Sequence, residues 1–567
     1  MIRQVSIVLG CCSLIMVIGC TKRHRDATQT ISQRLAEQQT KTDNLRNAMR
    51  FLSQLTPVNR QQAAKEVQLE LNTWLESAPS DETQYSRPQL IQEIPADLLT
   101  VVGSDSPTRL QFGYWDVDYL FERRMMRLIS EWVIGLPMHD SLLGAAFNDY
   151  RSKLGEADAQ KLEETLKLFD WTIRNVVLAG ETTSVEQKYS SPGLPIHDGG
   201  FGYGYLPWET LLFSQGDFVA RGRCFTALAD MRGIESFWIG LGDAEQPYLW
   251  AIGVLIGDEI LVFDPKLGLP LLNPDTAGFA TLSEAQSNER IMRRLNLPGQ
   301  FEFVFQQADL KQITFLLDVV PAATSARMKL LETALLGDER MRLYKDVDAL
   351  AAKTQARLPG ASTKMWLVPT LAQIHAATIR ERLETPSEFQ SQYYYVHGVW
   401  LFDTPAAQAR FKHLRGEFES TLDTKGALAS YIELKVPDEL INKLSYDPEV
   451  QKGLGVERFP GETDENFQLR ILQSQMVYSR AKVDAAFLLA QLHFDRGKYD
   501  DAEKWLRDRV IKDERAVQWH AAAWYSLGRI YQETGNQEGL QEALTQSPNP
   551  QEPGNRLRLR YVSRKPQ

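Results

Sequence analysis

The sequence predicts an α+β protein in which a small antiparallel sheet lies within a mostly helical chain. Residues 248–256 and 260–264 are apolar and β-branched, and Gly257-Asp258-Glu259 joins them as a hairpin turn. Elsewhere apolar residues recur at helical spacing, for instance over 117–134 and 162–177. With 567 residues, 43% of them apolar and 24% charged, the chain is long enough for several globular domains.

The first twenty residues are typical of an export signal. One arginine near the start precedes an apolar run that ends at Gly19-Cys20 and is too short to span a membrane comfortably. The last four residues, "VIGC", resemble the lipobox of bacterial lipoproteins. This resemblance implies cleavage before Cys20, lipidation of Cys20 and attachment to a membrane of the bacterial cell envelope, facing the periplasm or the exterior. A plain signal peptide and a short anchor helix are the alternatives.

Cysteine usage and charge narrow the classes of function further. Cys11 and Cys12 would leave with the signal and Cys20 would carry lipid, so Cys224 is the one thiol expected in the mature protein. An intramolecular disulfide is therefore excluded. The net charge of −10 argues against nucleic acid as the main partner.

Cys224 lies in a pattern that suits a nucleophile. Gly222 precedes it and Gly233 is a natural helix stop, which predicts Cys224 in the first turn of a short helix. Free N–H groups there would lower the pKa of the thiol and stabilise an oxyanion. Asp264, at the end of the second hairpin strand, suits the residue that orients a base, and the base itself is expected from 248–251.

The order of a helix with Cys224, an apolar hairpin and Asp264-Pro265 resembles the transglutaminase-like superfamily of papain-type thiol folds. The resemblance covers about residues 169–272 and implies that Cys224 is the nucleophile and Asp264 the orienting residue. The histidine of that family usually opens the first hairpin strand, where this sequence reads "PYLWAIGVL". His197, in a Gly/Pro-rich loop, is a weak candidate base in its place, and the alternative is a turn residue.

The C-terminal part contains two similar helical hairpins. They resemble tetratricopeptide repeats, whose stacked helices bury a shared face and present a groove to a peptide or a partner helix. The residues at the repeat positions are Leu489, Gly497, Tyr499, Ala502, Trp524, Leu527, Gly528, Tyr531 and Gly535. A generic helical hairpin is the alternative.

These observations divide the chain into segments. The segments are a signal peptide (1–19), a polar tether (20–60), a helical region (61–160), the transglutaminase-like domain (161–300), a second helical region (301–465), the repeats (466–546) and a disordered tail (547–567). No metal site or cofactor is predicted, and the oligomeric state is open. The favoured function is a lipid-anchored scaffold or a module that binds a protein or peptide. The alternative is a thiol peptidase or acyl transferase that uses Cys224, Asp264 and an unusual base.

Overall fold

The computed structural model describes residues 43–55, 60–76, 85–104, 108–178, 204–276, 278–385 and 404–563, with isolated helical residues between 390 and 400. Residues 43–53 are helical. The helices of the N-terminal half are α1 (Arg60–Glu76), α2 (Ala96–Val101), α3 (Tyr114–Ile134), α4 (Ser141–Tyr150), α5 (Glu156–Asn175), α6 (Pro207–Phe213), α7 (Phe218–Met231), α8 (Leu282–Ser287) and α9 (Glu289–Arg293). Those that follow are α10 (Ala326–Ala334), α11 (Val347–Arg357), α12 (Val368–Leu383), α13 (Pro405–Leu414), α14 (Ala427–Glu433), α15 (Asp438–Lys443), α16 (Pro448–Gly453), α17 (Asp464–Asp495), α18 (Tyr499–Trp505), α19 (Val517–Thr534), α20 (Gln537–Leu544) and α21 (Glu552–Val562).

The strands form one mixed sheet and one short parallel pair, so the chain is α+β as predicted. The strands are β1 (Val177–Leu178), β2 (Gln215–Gly216), β3 (Ser236–Leu241), β4 (Tyr248–Ile256), β5 (Glu259–Asp264), β6 (Leu269–Pro270), β7 (Ile313–Leu317) and β8 (Ser362–Met365). The sheet has the order β6-β5-β4-β3-β7-β8, and β1 pairs with β2. All neighbours in the sheet are antiparallel except β7 and β8. The second helical region predicted over 301–465 contains helices α10 to α16 but also β7 and β8, which complete this sheet.

The predicted hairpin is present as β4 and β5. Ile252 lies opposite Phe263 and Ile256 lies opposite Glu259. Gly257 has φ +59°, a left-handed conformation that glycine adopts without steric cost, which explains its place in the turn. The two strands are buried along most of their length.

Helix α7 lies against the sheet at Gly222. A Cβ atom at this position would approach the Trp238 ring to 2.4 Å and the Ile252 side chain to 2.9 Å. Gly222 therefore permits the close contact of α7 with β3 and β4, and it is an interior residue of the helix. Helices α3, α5 and α6 pack on other faces of α7.

Part of the segment predicted as a polar tether (20–60) is helical and packs into the core. Residues 43–53 form a helix whose Ala48 and Leu52 side chains are buried in the core. Met49 and Leu55 join them, so apolar residues recur at helical spacing within an otherwise polar segment. Residues 1–42, which include the predicted signal and Cys20, lie outside the described residues.

Tandem helical hairpins occupy the C-terminal part, where α17 packs on α18 and α19 packs on α20. Gly497 and Gly535, with φ +68° and +75°, follow α17 and α19. Gly528 permits close contact between α19 and α20, because a Cβ there would meet Leu544 at 2.3 Å. The other repeat positions are enclosed or half-buried in the same helices: Leu489, Tyr499, Ala502, Trp524, Leu527 and Tyr531. Helix α17 begins at Asp464, well before the first repeat position at Leu489, and continues without a break to Asp495.

The tail predicted to be disordered contains helix α21. Leu557 is fully buried, and a Cβ on Gly554 would lie 1.9 Å from the Leu267 carbonyl oxygen, so α21 packs tightly beside the end of the sheet. Arg558 Nη1 pairs with Asp140 at 2.7 Å. The disorder prediction was wrong because ion pairing neutralises and buries an arginine that composition alone places in solvent.

A buried cluster of charges joins the C-terminal hairpins to α4 and α5. Arg529 Nη1 pairs with Asp170 at 2.7 Å, and Arg529 Nη2 lies 3.2 Å from Asp140. Arg174 pairs with Asp495 at 2.6 Å and with Asp170 at 3.1 Å. The hairpins are therefore part of one folded body with the sheet. Within the described ranges, no helix has the length and apolarity needed to cross a membrane.

Candidate functional site

Cys224 is not in the first turn of its helix, contrary to the prediction. Helix α7 begins at Phe218, and the Asp217 side chain caps it by accepting a hydrogen bond from the Ala220 N–H. Cys224 is thus the seventh helical residue, beyond the free N–H groups that would have favoured a thiolate. The prediction took Gly222 for a helix start, whereas this glycine makes room for Trp238.

The Cys224 thiol is enclosed and protonated. Its side chain is fully buried, and Sγ–H donates to the Pro207 carbonyl oxygen at 3.3 Å. Burial raises the pKa of this thiol far above its ordinary value, and the nearby Glu122 carboxylate adds to the shift. This is the opposite of the exposed, electropositive setting that activates a cysteine.

Asp264 lies in a different environment from Cys224. Asp264 Oδ1 accepts hydrogen bonds from the Lys266 and Leu267 N–H groups at 2.8 and 2.9 Å, which closes the turn after β5. Burial raises the pKa of Asp264 to about 6, against those two bonds. The carboxyl group lines a small cavity with Trp250, and no hydrogen bond between described residues joins it to Cys224.

The structure places no described histidine at the thiol. His197 lies outside the described residues. His397 packs against the rings of Tyr205 and Phe213, and burial lowers its pKa to about 4, so it is neutral and structural. His493 is buried in α17, where burial also lowers its pKa. In the described ranges no group of three or more His, Cys, Asp or Glu side chains is arranged to hold a metal ion.

A charged cavity of about 50 Å³ lies between α3, the Cys224 helix α7 and the segment after β7. No motif in the sequence predicted this cavity. Its charged side chains come in equal numbers of each sign. The acidic lining residues are Glu122, Asp230 and Asp318, and the basic ones are Arg123, Arg223 and Lys345.

Two of the three carboxylates are held by protein partners. Asp318 accepts hydrogen bonds from Arg223 Nε at 3.2 Å and from the Thr226 hydroxyl at 2.9 Å. Asp230 pairs with Lys345 Nζ at 2.5 Å and also with Arg123. Although burial acts in the other direction, Lys345 and Arg123 hold the pKa of Asp230 well below its usual range.

Glu122 is the exception. Its Oε2 atom is buried and has no hydrogen-bond partner in the described protein, although the backbone N–H of Trp208 donates to the carboxylate. Burial raises the pKa of Glu122 to about 7, which outweighs the opposing effects of Arg223 and Arg123. The cavity therefore contains one carboxyl group that changes charge near neutral pH.

The Glu122→Gln variant is expected to be more stable than the wild type at pH 8 by up to about 3 kcal/mol, and equally stable near pH 4. The folded pKa of about 7 lies above the unfolded value of 4.5, so the stabilising contribution of Glu122 is complete below pH 4.5 and is lost as pH rises through 7. Denaturant unfolding across pH 4–8 measures this difference. Glu131→Gln, an exposed position on the same helix, serves as the control and should show no such pH dependence. A pH-independent difference for Glu122→Gln would contradict the assignment.

The chain was compared with known proteins in three ways, and it matches no family model, no curated protein and no solved structure.

Proposed function

We propose that this chain is an exported, lipid-anchored binding protein built on a degenerate thiol-enzyme-like core. The environment of Cys224 carries the proposal. A nucleophile must be reached by its substrate and by a base. Here the thiol is enclosed, its pKa is raised, and its hydrogen-bond partner is a carbonyl oxygen.

The hydrogen-bond partners of Cys224 and Asp264 support the same proposal. A working triad acts as a unit, and loss of one member lowers the rate by several orders of magnitude. Asp264 accepts hydrogen bonds from the Lys266 and Leu267 N–H groups in the turn after β5. The Cys224 thiol instead donates to the Pro207 carbonyl oxygen of α6. The residues recognised by their order in sequence thus perform packing and turn formation in this chain.

The C-terminal hairpins, proposed to be tetratricopeptide-like, act in this account as an internal scaffold. Arg529 of α19 and Asp495 of α17 face Asp170 and Arg174 of α5, so the chain's own helices cover this face of the hairpins. A protein or peptide partner would therefore contact another surface than a groove on that face.

Anchoring by lipid at Cys20 predicts a specific result. In bacterial cells, wild-type protein is expected in the membrane fraction, and Cys20→Ser is expected to shift most of it to the soluble fraction, because a lipid chain contributes about 0.8 kcal/mol per buried CH₂. Membrane flotation measures the partition. Cys12→Ser, within the predicted signal, is the matched control and should leave the partition unchanged. A Cys20→Ser protein that still floats completely with membranes would show that the lipid is not the anchor.

A further inference from the structure

We propose that the charged cavity binds a small amino acid as its zwitterion, with the ammonium group at Glu122 and the carboxylate towards Lys345. The inference goes beyond the proposed protein-binding function and names a small-molecule ligand. The inference follows from the pairing of the charged lining residues. These residues come in equal numbers of each sign, but they are not paired one to one.

At the Glu122 end of the cavity, the Oε2 atom of the carboxylate lacks a hydrogen-bond donor, although Arg123 and Arg223 act on the group electrostatically. Asp318 is already matched by Arg223 and by the Thr226 hydroxyl, so the unbonded Oε2 of Glu122 is the acceptor left there. A buried carboxylate oxygen without a donor costs free energy, and an ammonium group is the donor that matches its charge as well.

The Asp230 end carries unmatched positive charge. Lys345 and Arg123 both pair with this one carboxylate, and Arg342 also acts on it electrostatically. The Lys345 side chain lines the cavity and retains 13% exposure. A carboxylate entering here would match the excess of cations.

The dimensions favour a ligand of a few atoms. About 50 Å³ accommodates roughly three water-sized groups. Several lining residues are half-buried, among them Ala227, Asp318 and Val320, so the cavity reaches solvent. Glycine is the smallest amino acid that carries both charges, so it is the first ligand to test in this space. A simple amine or a simple carboxylate would satisfy only one end.

Binding should depend on pH in a defined direction. The charged and titratable groups that act on Glu122 are Arg123 and Tyr119 on its own helix, Arg223 and Cys224 of α7 and Asp318 after β7, and the Trp208 N–H of α6 donates to it. Arg380 of α12 and Asp118 line a neighbouring cavity together with Glu122. Because the pKa of Glu122 is about 7, its charge is lost below neutrality and with it the attraction for an ammonium group. The affinity for glycine is expected to fall about tenfold per pH unit below 7.

Titration of the full-length protein with glycine tests the proposal. Calorimetry at pH 8 should detect binding of glycine, and methylammonium and acetate should bind at least about tenfold more weakly. Glu122→Gln and Lys345→Gln should each weaken glycine binding about tenfold or more, because each removes the partner of one ligand charge. Glu131→Gln on α3 and Lys353→Gln on α11 are exposed matched controls and should bind as wild type does.

Three outcomes would overturn the proposal. Absence of glycine binding would mean that solvent alone occupies the cavity. Equal binding of methylammonium and glycine would exclude recognition of a zwitterion. Glycine binding with the same pH profile in wild type and Glu122→Gln would place the site elsewhere, and the wild-type pH profile decides the matter if a variant does not fold. None of these results depends on Cys224 or on Cys20, so failure here is distinct from failure of the proposed function.

Discussion

Replacing Arg529 with methionine is expected to lower the free energy of unfolding by about 3–5 kcal/mol. Arg529 is fully buried, and its guanidinium group pairs with Asp170 at 2.7 Å and lies 3.2 Å from Asp140. It also donates to the His139 carbonyl oxygen at 2.8 Å. Methionine keeps much of the volume but leaves two buried carboxylates short of a cation, and that uncompensated charge is the source of the cost.

An exposed arginine in the same region provides the control. Arg515 is 49% exposed and pairs with Asp513 and Asp438 at the surface. Because solvent screens such pairs, Arg515→Met should change stability by less than about 1 kcal/mol. Equilibrium denaturation of both variants gives the comparison. If the two substitutions had equal effects, the buried cluster would not be what joins the C-terminal hairpins to α5.

The same cluster explains why the C-terminal part is not a separate module. Arg558 of α21 pairs with Asp140, the N-terminal cap of α4, and Arg174 of α5 pairs with Asp495 of α17. These residues are hundreds of positions apart in sequence. A binding groove expected from the repeat pattern is therefore covered on this face by the chain itself.

Sequence periodicity predicted the elements whose patterns are local. The β4–β5 hairpin has two apolar runs and a Gly-Asp turn, and the long helices α3 and α5 have clear apolar stripes. Such elements are specified by neighbours in sequence. The α+β class followed from them.

The missed elements depend on distant partners. Strand β8, "STKM", is mostly polar, and it is a strand because it pairs with β7, where the Ser362 hydroxyl meets the Thr314 hydroxyl at 2.9 Å. Helix α21 is rich in arginine, and Arg558 is buried only because Asp140 neutralises it. Neither partner can be identified from the local sequence.

The candidate site was predicted in part and for a related reason. The sequence pattern singled out Cys224 as a candidate nucleophile, but the burial of its thiol depends on α6, which supplies the Pro207 carbonyl. Glu122, in "FERRMMR", reads as a charge on an exposed helix face. In the folded chain Glu122 lines a cavity together with Arg223 and Asp318, which belong to other elements. The raised pKa of Glu122 therefore depends on tertiary structure that the local sequence does not show.

Alkylation of the folded protein tests most directly whether Cys224 is an enclosed structural thiol. In a chain with Cys11, Cys12 and Cys20 replaced by serine, Cys224 is the single thiol. Labelling with iodoacetamide, followed by mass spectrometry from pH 5 to 9, should be at least about a thousandfold slower in the folded protein than in denaturant, because labelling requires opening of the fold.

A cysteine introduced at the fully exposed Leu422, in the same background with Cys224→Ala, is the control and should react as a free peptide thiol does. Cys224 is expected to stay protected at every pH at which the protein is folded. Rapid alkylation of Cys224 in the folded protein at pH 6 would show an accessible thiolate. That result would contradict an enclosed structural thiol and would favour a thiol enzyme.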